Sequence, residues 1–357
     1  MRYYRIELTD TNGSPINLAS FGNQASPLPL SPNAVLESGV ITSLLPDGTT
    51  NPAALNIEID IEQLPLHIGD QNSYVRIYGL ALSDVFRKDL NKQNISVKVG
   101  MSKGLPLANP AQQGLVIQGS IVQAFGNWLG TDMTLDMVIG AGGLTGNTNN
   151  NTPKAYVFTW TKGQKLSDAI SQTKDGNDVL SKLKTDIQVS DDRTANEDKQ
   201  GYYVTATQFA QLIQSMTVGQ RGASDNGVYL YNDGQTFTAR DTSTIGQNTS
   251  DAKQINFQDL IGQVTWYEPF KLTCKLVMRG DLELGGYVKF TDGANVITTA
   301  AAMPSLQPSR DRDQLGIASG GEFFIERIHH WGNFRQADAM SWNTTLGLIQ
   351  TGQSRAV

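Results

Sequence analysis

Residues 271–279 (Lys-Leu-Thr-Cys-Lys-Leu-Val-Met-Arg) constrain the fold more than any other part of this 357-residue chain. Apolar side chains fall on alternate residues, with charged or hydroxyl side chains between them. This period of two is typical of an antiparallel strand with one face in a core and the other in water. The apolar face is predicted to hold Leu272, Cys274, Leu276 and Met278, and the solvent face Lys271, Thr273, Lys275 and Arg279.

The composition agrees with a β-rich protein that has long turns. Charged residues make up 17% of the chain, against about 25% in an average globular protein. The difference is taken up by glycine, of which there are 35, and by Asn, Gln, Ser and Thr. Interface cores are also depleted in charge, so the same composition suits surfaces that contact other subunits.

The net charge and the single cysteine exclude several classes of protein. A formal net charge of −6 and a sequence pI near 5.1 argue against a nucleic-acid binder with a basic groove. Cys274 is the only cysteine, so an intrachain disulfide is excluded and a small buried hydrophobe is expected. The chain shows no apolar signal core and no run of about 18 apolar residues, so we predict no membrane span.

The length favours more than one domain, and we predict three regions: a β domain at 1–150, a small α/β module with a hairpin at 151–250, and a second β-rich domain at 251–357. The first boundary lies in a Gly/Asn-rich linker at 141–153. A short amphipathic helix capped by Ser83 is predicted in the first domain, with Leu82, Phe86 and Leu90 on its buried face. The predicted strands of this domain are 1–10, 40–44, 55–61, 74–80, 95–99, 115–124 and 134–139.

In the module, a strand at 156–160 precedes a helix with Leu166, Ala169 and Ile170 on its apolar face, continued or restarted by Val179, Leu180 and Leu183. A short strand follows at 187–189, then an acidic solvated loop at 191–199. A second helix carries apolar residues at 209, 212, 213 and 216 behind Thr207 as its cap. A hairpin at 228–240 turns at Asn232-Asp233-Gly234.

The last region is predicted to contain strands at 255–257, 271–279, 287–290, 322–328 and 342–348. Long polar loops are predicted at 11–53 and 300–321. Ordering such loops costs conformational entropy, so we expect neighbouring subunits to order them. No internal repeat is apparent in the sequence.

Motifs for cofactor or metal chemistry are absent or incomplete. Gly140, Gly142 and Gly146 do not match the dinucleotide fingerprint, whose third glycine falls on Thr145, and an Asn-rich stretch rather than a helix follows. The histidines are His67, His329 and His330. The last two are adjacent on a predicted strand and should point to opposite faces, so they are not expected to share a metal.

Carboxylate clusters are the remaining candidates for a hydrolytic site. Asp191, Asp192, Glu197 and Asp198 lie on the predicted solvated loop, where little change in pKa is expected. Glu322 and Glu326 lie four residues apart near aromatic residues. We predict no enzyme activity, no catalytic, cofactor-binding or metal-binding residues, and no cofactor.

Four stretches together resemble the baseplate hub proteins of contractile-tailed bacteriophages. Residues 77–101 look like the strand–helix–strand of tail-tube-like barrels, and residues 160–173 are similar to the start of the small module in these hubs. Residues 256–290, with Met278-Arg279-Gly280-Asp281 and Gly285-Gly286-Tyr287, resemble their later β domain. Residues 328–346, with His330-Trp331-Gly332-Asn333, resemble their closing strands, where a His-x-Gly-Asp form is usual.

The resemblance implies two tube-like antiparallel β-barrel domains in each subunit, each with a short packed helix. It also implies a structural role in the virion after assembly in the host cytoplasm. It implies a homotrimeric ring that acts as a symmetry adapter. One side of the ring would bind the hexameric tail tube or an adjacent tube-initiator ring, and the other side would bind the threefold central spike protein. DNA would pass through its lumen during ejection without sequence-specific binding, and a net negative chain suits that passage because it does not hold phosphates.

Two other classes of function remain open. A receptor-binding tail protein or adhesin would share the composition, and its sugar platform would have to come from Trp266 and Tyr267 or from Trp331 and Trp342. A peptidoglycan hydrolase would have to use Glu322 or Glu326.

Overall fold

The computed structural model describes residues 1–18, 37–69, 72–102, 110–141, 155–178, 180–222, 225–246, 251–262, 264–268, 271–290 and 322–351. The predicted loop at 300–321, most of the linker at 141–153, part of the loop at 11–53 and Val179 lie outside these residues. Both predicted domain boundaries, at 150 and 250, also lie outside them and stay predictions.

The chain is mainly β with a small α/β module, as predicted. Its N-terminal strands each place apolar side chains on one face: Tyr4, Ile6 and Leu8 in the first are at most 1% exposed. A four-residue helix and short 3-10 turns connect these strands. The elements are β1 (Arg2–Thr9), β2 (Val40–Thr42), β3 (Ile57–Gln63), β4 (Asn72–Tyr78), helix α1 (Leu82–Val85), β5 (Asn94–Met101), β6 (Gly114–Leu129) and β7 (Asp132–Ala141).

The module packs two helices against short strands. It contains β8 (Tyr156–Trp160), α2 (Leu166–Asp175), β9 (Lys184–Gln188), β10 (Lys199–Tyr203), α3 (Ala206–Thr217), β11 (Val228–Asn232) and β12 (Thr236–Asp241). β8 pairs with β10, and the β11–β12 hairpin is extended by β9, which is parallel to β12. The hairpin turn contacts the N-terminal β region, where the Gln235 side chain donates to Gln118 Oε1 at 3.0 Å.

The C-terminal strands are β13 (Lys253–Ile255), β14 (Thr265–Glu268), β15 (Lys271–Val277), β16 (Tyr287–Phe290), β17 (Glu322–Asn333) and β18 (Trp342–Gln350). Within the described residues, thirteen strands of the two β regions form one sheet, because residues 58–63 of β3 pair with residues 328–333 of β17. The main path of this sheet is β14-β15-β18-β17-β3-β4-β7-β6-β5-β1-β2, and β16 joins β13 to β17.

A repeated strand order lies within this sheet. We call β1 and β3–β7 the N-terminal unit, and β13–β18 the C-terminal unit. If the strands of each unit are counted along the chain, both units are ordered first, fourth, fifth, sixth, third, second across the sheet. One difference is that β1 is antiparallel to β5 whereas β13 is parallel to β16. The repeat is therefore one of strand order, although no internal repeat is apparent in the sequence.

The sheet of the N-terminal unit curls around a single core. Its strands share one hydrophobic cluster, which also takes in Met278 and Trp342 from the C-terminal region. β1 and β3 are the two outermost strands of this unit across the sheet. The Tyr4 hydroxyl of β1 donates to the carbonyl of Leu55, just before β3, at 2.7 Å. A second cluster lies inside the C-terminal unit and includes Tyr229 and Tyr231, and a third fills the module.

The strand predictions are confirmed for the clearest alternating segments. Leu272, Cys274 and Leu276 of β15, and Met278 directly after it, are at most 1% exposed. Arg279, predicted to face solvent, is instead 3% exposed, because two carboxylates compensate its charge: Asp281 at 2.7 Å and Asp259 at 3.3 Å. β10 was not predicted; it lies in and beyond the segment assigned to the acidic loop.

The helix predictions need three corrections. The predicted apolar stripe of the first helix is wrong, because Leu82 and Phe86 are 58% and 54% exposed while Val85 is buried. Ala81, not Ser83, precedes this helix. α3 is capped by Thr205 rather than Thr207, because the extended Thr205 accepts a hydrogen bond from the Gln208 amide.

Candidate assembly surface

A polar network crosses the outer face of the sheet where the two units join. Arg76 on β4 binds Asp136 on β7 with two hydrogen bonds of 3.0 and 3.1 Å, and binds Glu58 on β3 at 3.2 Å. Asn333 on β17 donates to Glu58 at 2.8 Å, and Asn127 on β6 donates to Asp136 at 3.3 Å. Five neighbouring strands are thus linked by side chains as well as by their backbones.

The electrostatics of this network hold Asp136 and Arg76 in their charged forms. Burial raises the pKa of Asp136, but hydrogen bonds from Arg76 and Thr134 outweigh burial and hold the pKa below its usual value. The hydrogen bonds to Asp136 raise the pKa of Arg76 above that of a free guanidinium. A hydrogen-bonded and charge-compensated network of this kind rigidifies the sheet.

The histidines lie on opposite faces of β17, as predicted. His329 Nε2 lies 2.7 Å from Asp60 Oδ1 of β3 on the outer face. His330 is fully buried and its Nδ1 lies 2.9 Å from the Thr344 hydroxyl, and burial lowers the pKa of His330 to about 3. Among the described residues, no group of three or more His, Cys, Asp or Glu side chains is placed to hold a metal ion.

The candidate hydrolytic carboxylates do not form a site. Asp191 binds Lys165 at 2.8 Å and Asp192 binds Arg221 at 2.7 Å, and both carboxylates are about three-quarters exposed. Glu326 is largely buried and binds Lys271 at 3.0 Å. Glu197 and Asp198 extend the exposed cluster, while Glu322 is the first residue of β17.

One residue of the predicted acidic loop has a structural role that sequence reasoning missed. Arg193 is 2% exposed and binds Asp241 through two nitrogens at 2.7 Å each and Asp225 at 2.7 Å. It also donates to the Thr217 carbonyl at the end of α3. Its charge ties the loop, the helix and the hairpin of the module together, and the only sequence signal was a basic residue among acidic ones.

Trp331 and Trp342, two of the aromatic candidates for a sugar platform, do not form one; the side chain of Trp266 is not among those that the structure describes. Trp331 is 37% exposed on the outer face, whereas Trp342 is 3% exposed and its indole donates to the Gly100 carbonyl at 2.9 Å. A cleft of about 290 Å³ beside β1 and β2 contains Arg5. Arg5 is already paired with Glu7 and Glu37, so its charge is compensated.

The join between the units also uses close backbone packing. A Cβ on Gly114 would lie 2.0 Å from the Gly280 carbonyl oxygen, and the Gly280 amide donates to the Gln112 carbonyl at 2.9 Å. The Gln112 side chain donates to Asp259, which also accepts from Arg279. The two units therefore contact each other through a packed and hydrogen-bonded seam in addition to the β3–β17 pairing.

Comparisons with known proteins give fold likeness only. No protein-family model matches the chain, and no curated protein matches it. The chain is similar to the 43 kDa tail protein of prophage MuSo2 from Shewanella oneidensis, with 8% identity, a TM-score of 0.44, and coverage of 83% of this chain and 96% of that one. It is also similar to a tail protein from Neisseria meningitidis MC58, with 10% identity, a TM-score of 0.44, and coverage of 84% and 96%.

In the described residues no helix is long and apolar enough to cross a membrane.

Proposed function

We propose that this chain is the structural baseplate hub of a phage tail. Copies of it form a ring that joins the hexameric tail tube to the threefold central spike, with an open channel for DNA. The single observation that carries this proposal is the repeated strand order, in which one unit is joined to the other by backbone pairing along a shared sheet.

The join within the chain is head-to-tail. The fifth strand of the C-terminal unit, β17, pairs with the second strand of the N-terminal unit, β3. A contact between two different surfaces leaves one surface of each kind free at the ends of the pair, so further units can add in the same way. The result is a closed ring when the rotation between neighbouring units divides a full turn. Three copies would present six units, which matches a hexameric tube on one side and a threefold spike on the other.

The outer face of the sheet supports a channel for DNA. The β3 side chains on this face are Glu58, Asp60 and Glu62, and the basic Arg76 beside them is bound by Asp136 and Glu58. Binding of DNA phosphates requires Lys or Arg side chains with free charge. Pairing such a side chain with a carboxylate of the protein weakens the attraction to DNA. A face with compensated cations and excess carboxylates would let DNA pass without holding it.

Negative-stain electron microscopy of the purified chain, with the mass from light scattering, tests this proposal. The expected result is a ring with a central hole and the mass of three copies. A monomer at all accessible concentrations would contradict the proposal. Binding on a glycan array would favour a receptor-binding tail protein, and clearing on a peptidoglycan gel would favour a hydrolase.

A further inference from the structure

The two units carry the same four-residue pattern at the same point of their fifth strands. β6 contains Phe125-Gly126-Asn127-Trp128, and β17 continues into Trp331-Gly332-Asn333-Phe334. The pairings place these segments in equivalent positions, because Gly126 is opposite Leu135 of β7 and Gly332 is opposite Trp342 of β18. An aromatic residue, Gly, Asn and a second aromatic residue therefore recur at one topological site.

Three of the four positions have matching surroundings. Phe125 and Trp331 are 38% and 37% exposed on the outer face, and Asn127 and Asn333 each donate to a carboxylate of that face. Each glycine lies under an aromatic ring: an added Cβ would be 2.7 Å from the Phe86 ring at Gly126 and 2.5 Å from the Trp342 ring at Gly332.

The aromatic residue at the fourth position, Phe334 or Trp128, is covered by neighbouring residues in only one of the two units. Phe334 is partly buried and packs against Tyr4 of the N-terminal unit, with the ring centroids 4.8 Å apart. Its amide donates to the Ile57 carbonyl at the start of β3, and Arg2 donates to its carbonyl. Trp128 is 71% exposed. The aromatic residue of the C-terminal unit is thus covered by the unit that its fifth strand joins, whereas Trp128 lacks such a cover.

The edge of β6 around Trp128 is suited to a strand partner. In the described part of the chain, β7 is the only strand that pairs with β6 beyond residue 121, because β5 has its last partner at Ser120. The Ala124 amide donates to the Asn91 side chain at 2.6 Å, so the segment open to a strand partner is the one around Trp128. Residues 122–129 (Val-Gln-Ala-Phe-Gly-Asn-Trp-Leu) contain no charge and no proline, the devices that usually protect an exposed edge. Leu82 and Phe86, both more than half exposed, extend the apolar surface beside it.

We infer that this end of β6, anchored by Trp128, docks on the C-terminal unit of a second copy of the chain, at the β14 end of its sheet. Within one copy, β17 and Phe334 contact β3. Between copies, their counterparts β6 and Trp128 would contact β14 in the same way, since β14 is the counterpart of β3. Continuity with the internal join identifies the occupant as another copy, and the inference rests on the proposed ring. A buried Trp is a frequent anchor of such interfaces.

The test compares Trp128→Ala with Tyr202→Ala as a matched control. Tyr202 lies on β10 of the module and is 69% exposed, close to the value for Trp128. Sedimentation over a dilution series should show self-association weakened by about tenfold or more for Trp128→Ala, and by less than about twofold for Tyr202→Ala, as expected of a residue outside the interface. Far-UV circular dichroism should show that both variants are folded.

A second measurement locates the contact. Replacing Trp128 by the photoreactive p-benzoylphenylalanine should give crosslinks between copies that map to residues 253–268. If the wild type forms a ring but Trp128→Ala associates as tightly, or if the crosslinks map to the module, this inference is wrong while the proposed function stands. If the wild type never associates, the proposed function fails, and the absence of crosslinks between copies overturns this inference too.

Discussion

The aromatic at the end of the fifth strand is packed in one unit and exposed in the other. Phe334 lies against Tyr4 and Trp342, with centroid separations of 4.8 and 6.1 Å, whereas Trp128 is 71% exposed. Strand order is the same in both units, and in each the glycine of this segment pairs with the sixth strand, so the difference comes from what each unit faces. When equivalent residues of a duplicated fold differ in exposure, the exposed one can therefore indicate a surface that binds another subunit.

The cores of the units differ in a related way. Trp342 belongs to β18 of the C-terminal unit but packs in the hydrophobic cluster of the N-terminal unit. Its counterpart in the N-terminal unit, Leu135, packs in the cluster of its own unit. The C-terminal unit thus contributes the large Trp342 side chain to the core of the N-terminal unit. The stability of the two packed units should therefore depend on Trp342 more than on Leu135.

Trp342→Ala tests this dependence and should have the largest effect. Trp342 is 3% exposed and donates to the Gly100 carbonyl, so its removal should cost about 3–5 kcal/mol in the free energy of unfolding. Because it couples the units, urea unfolding should also separate into more than one transition. The control, Leu135→Ala, should be destabilising without that separation. A single transition with little loss for Trp342→Ala would contradict the coupling.

The two glycines of the repeated pattern offer a sharper comparison of packing. At Gly332 an added Cβ would meet Trp342 at 2.5 Å and Ile59 at 3.1 Å, both buried. At Gly126 it would meet Phe86, whose half-exposed ring can move aside, and the buried Val85. Gly332→Ala should therefore cost about 1–3 kcal/mol, as overpacked cores do, and Gly126→Ala should cost less. Equal losses in thermal or urea unfolding would show that the glycines have equivalent surroundings.

Asp136 has a neutral counterpart in the C-terminal unit, which makes the units differ in acid sensitivity. Asp136 is opposite Phe125, and Asn343 is opposite Trp331. The pKa of Asp136 is lowered in the folded protein because hydrogen bonds from Arg76 and Thr134 outweigh the opposing effect of burial. The stability it contributes is present above the unfolded pKa of about 3.9, and it is lost as the pH falls from there through the folded pKa.

Asp136→Asn should therefore cost about 1–2 kcal/mol at neutral pH, and the cost should shrink when urea unfolding is repeated at acidic pH. Asn343→Asp provides a comparison in which a carboxylate destabilises the fold instead of stabilising it. It would place a carboxylate at a position that is 3% exposed, so acidification should reduce its penalty by protonating the new group. A cost of Asp136→Asn that stays constant with pH would exclude the charged network as its cause.

Much of this fold could be predicted from local patterns, because alternation reports which face of a strand is buried. It could not report which strands pair: β3 and β17 join residues about 270 positions apart in the chain. The sequence itself shows no repeat because the units share strand order and only a few residues, such as the pattern around Gly126 and Gly332; two barrel domains per subunit were expected from the resemblance to hub proteins alone. Arg193 and Arg279 were missed because a charge is buried only with partners, and theirs are brought close by tertiary structure.

The contact between His329 and Asp60 should have the smallest effect of those that cross the join. Both side chains are more than a third exposed, and pairs in such surroundings contribute about 0–1 kcal/mol. Asp60→Asn should therefore lower the free energy of unfolding by less than about 1 kcal/mol, and added salt should reduce the difference from the wild type. Chemical denaturation at low and high ionic strength measures both. A loss comparable to that of Trp342→Ala would mean that the surface network, rather than the packed seam beneath it, holds the units together.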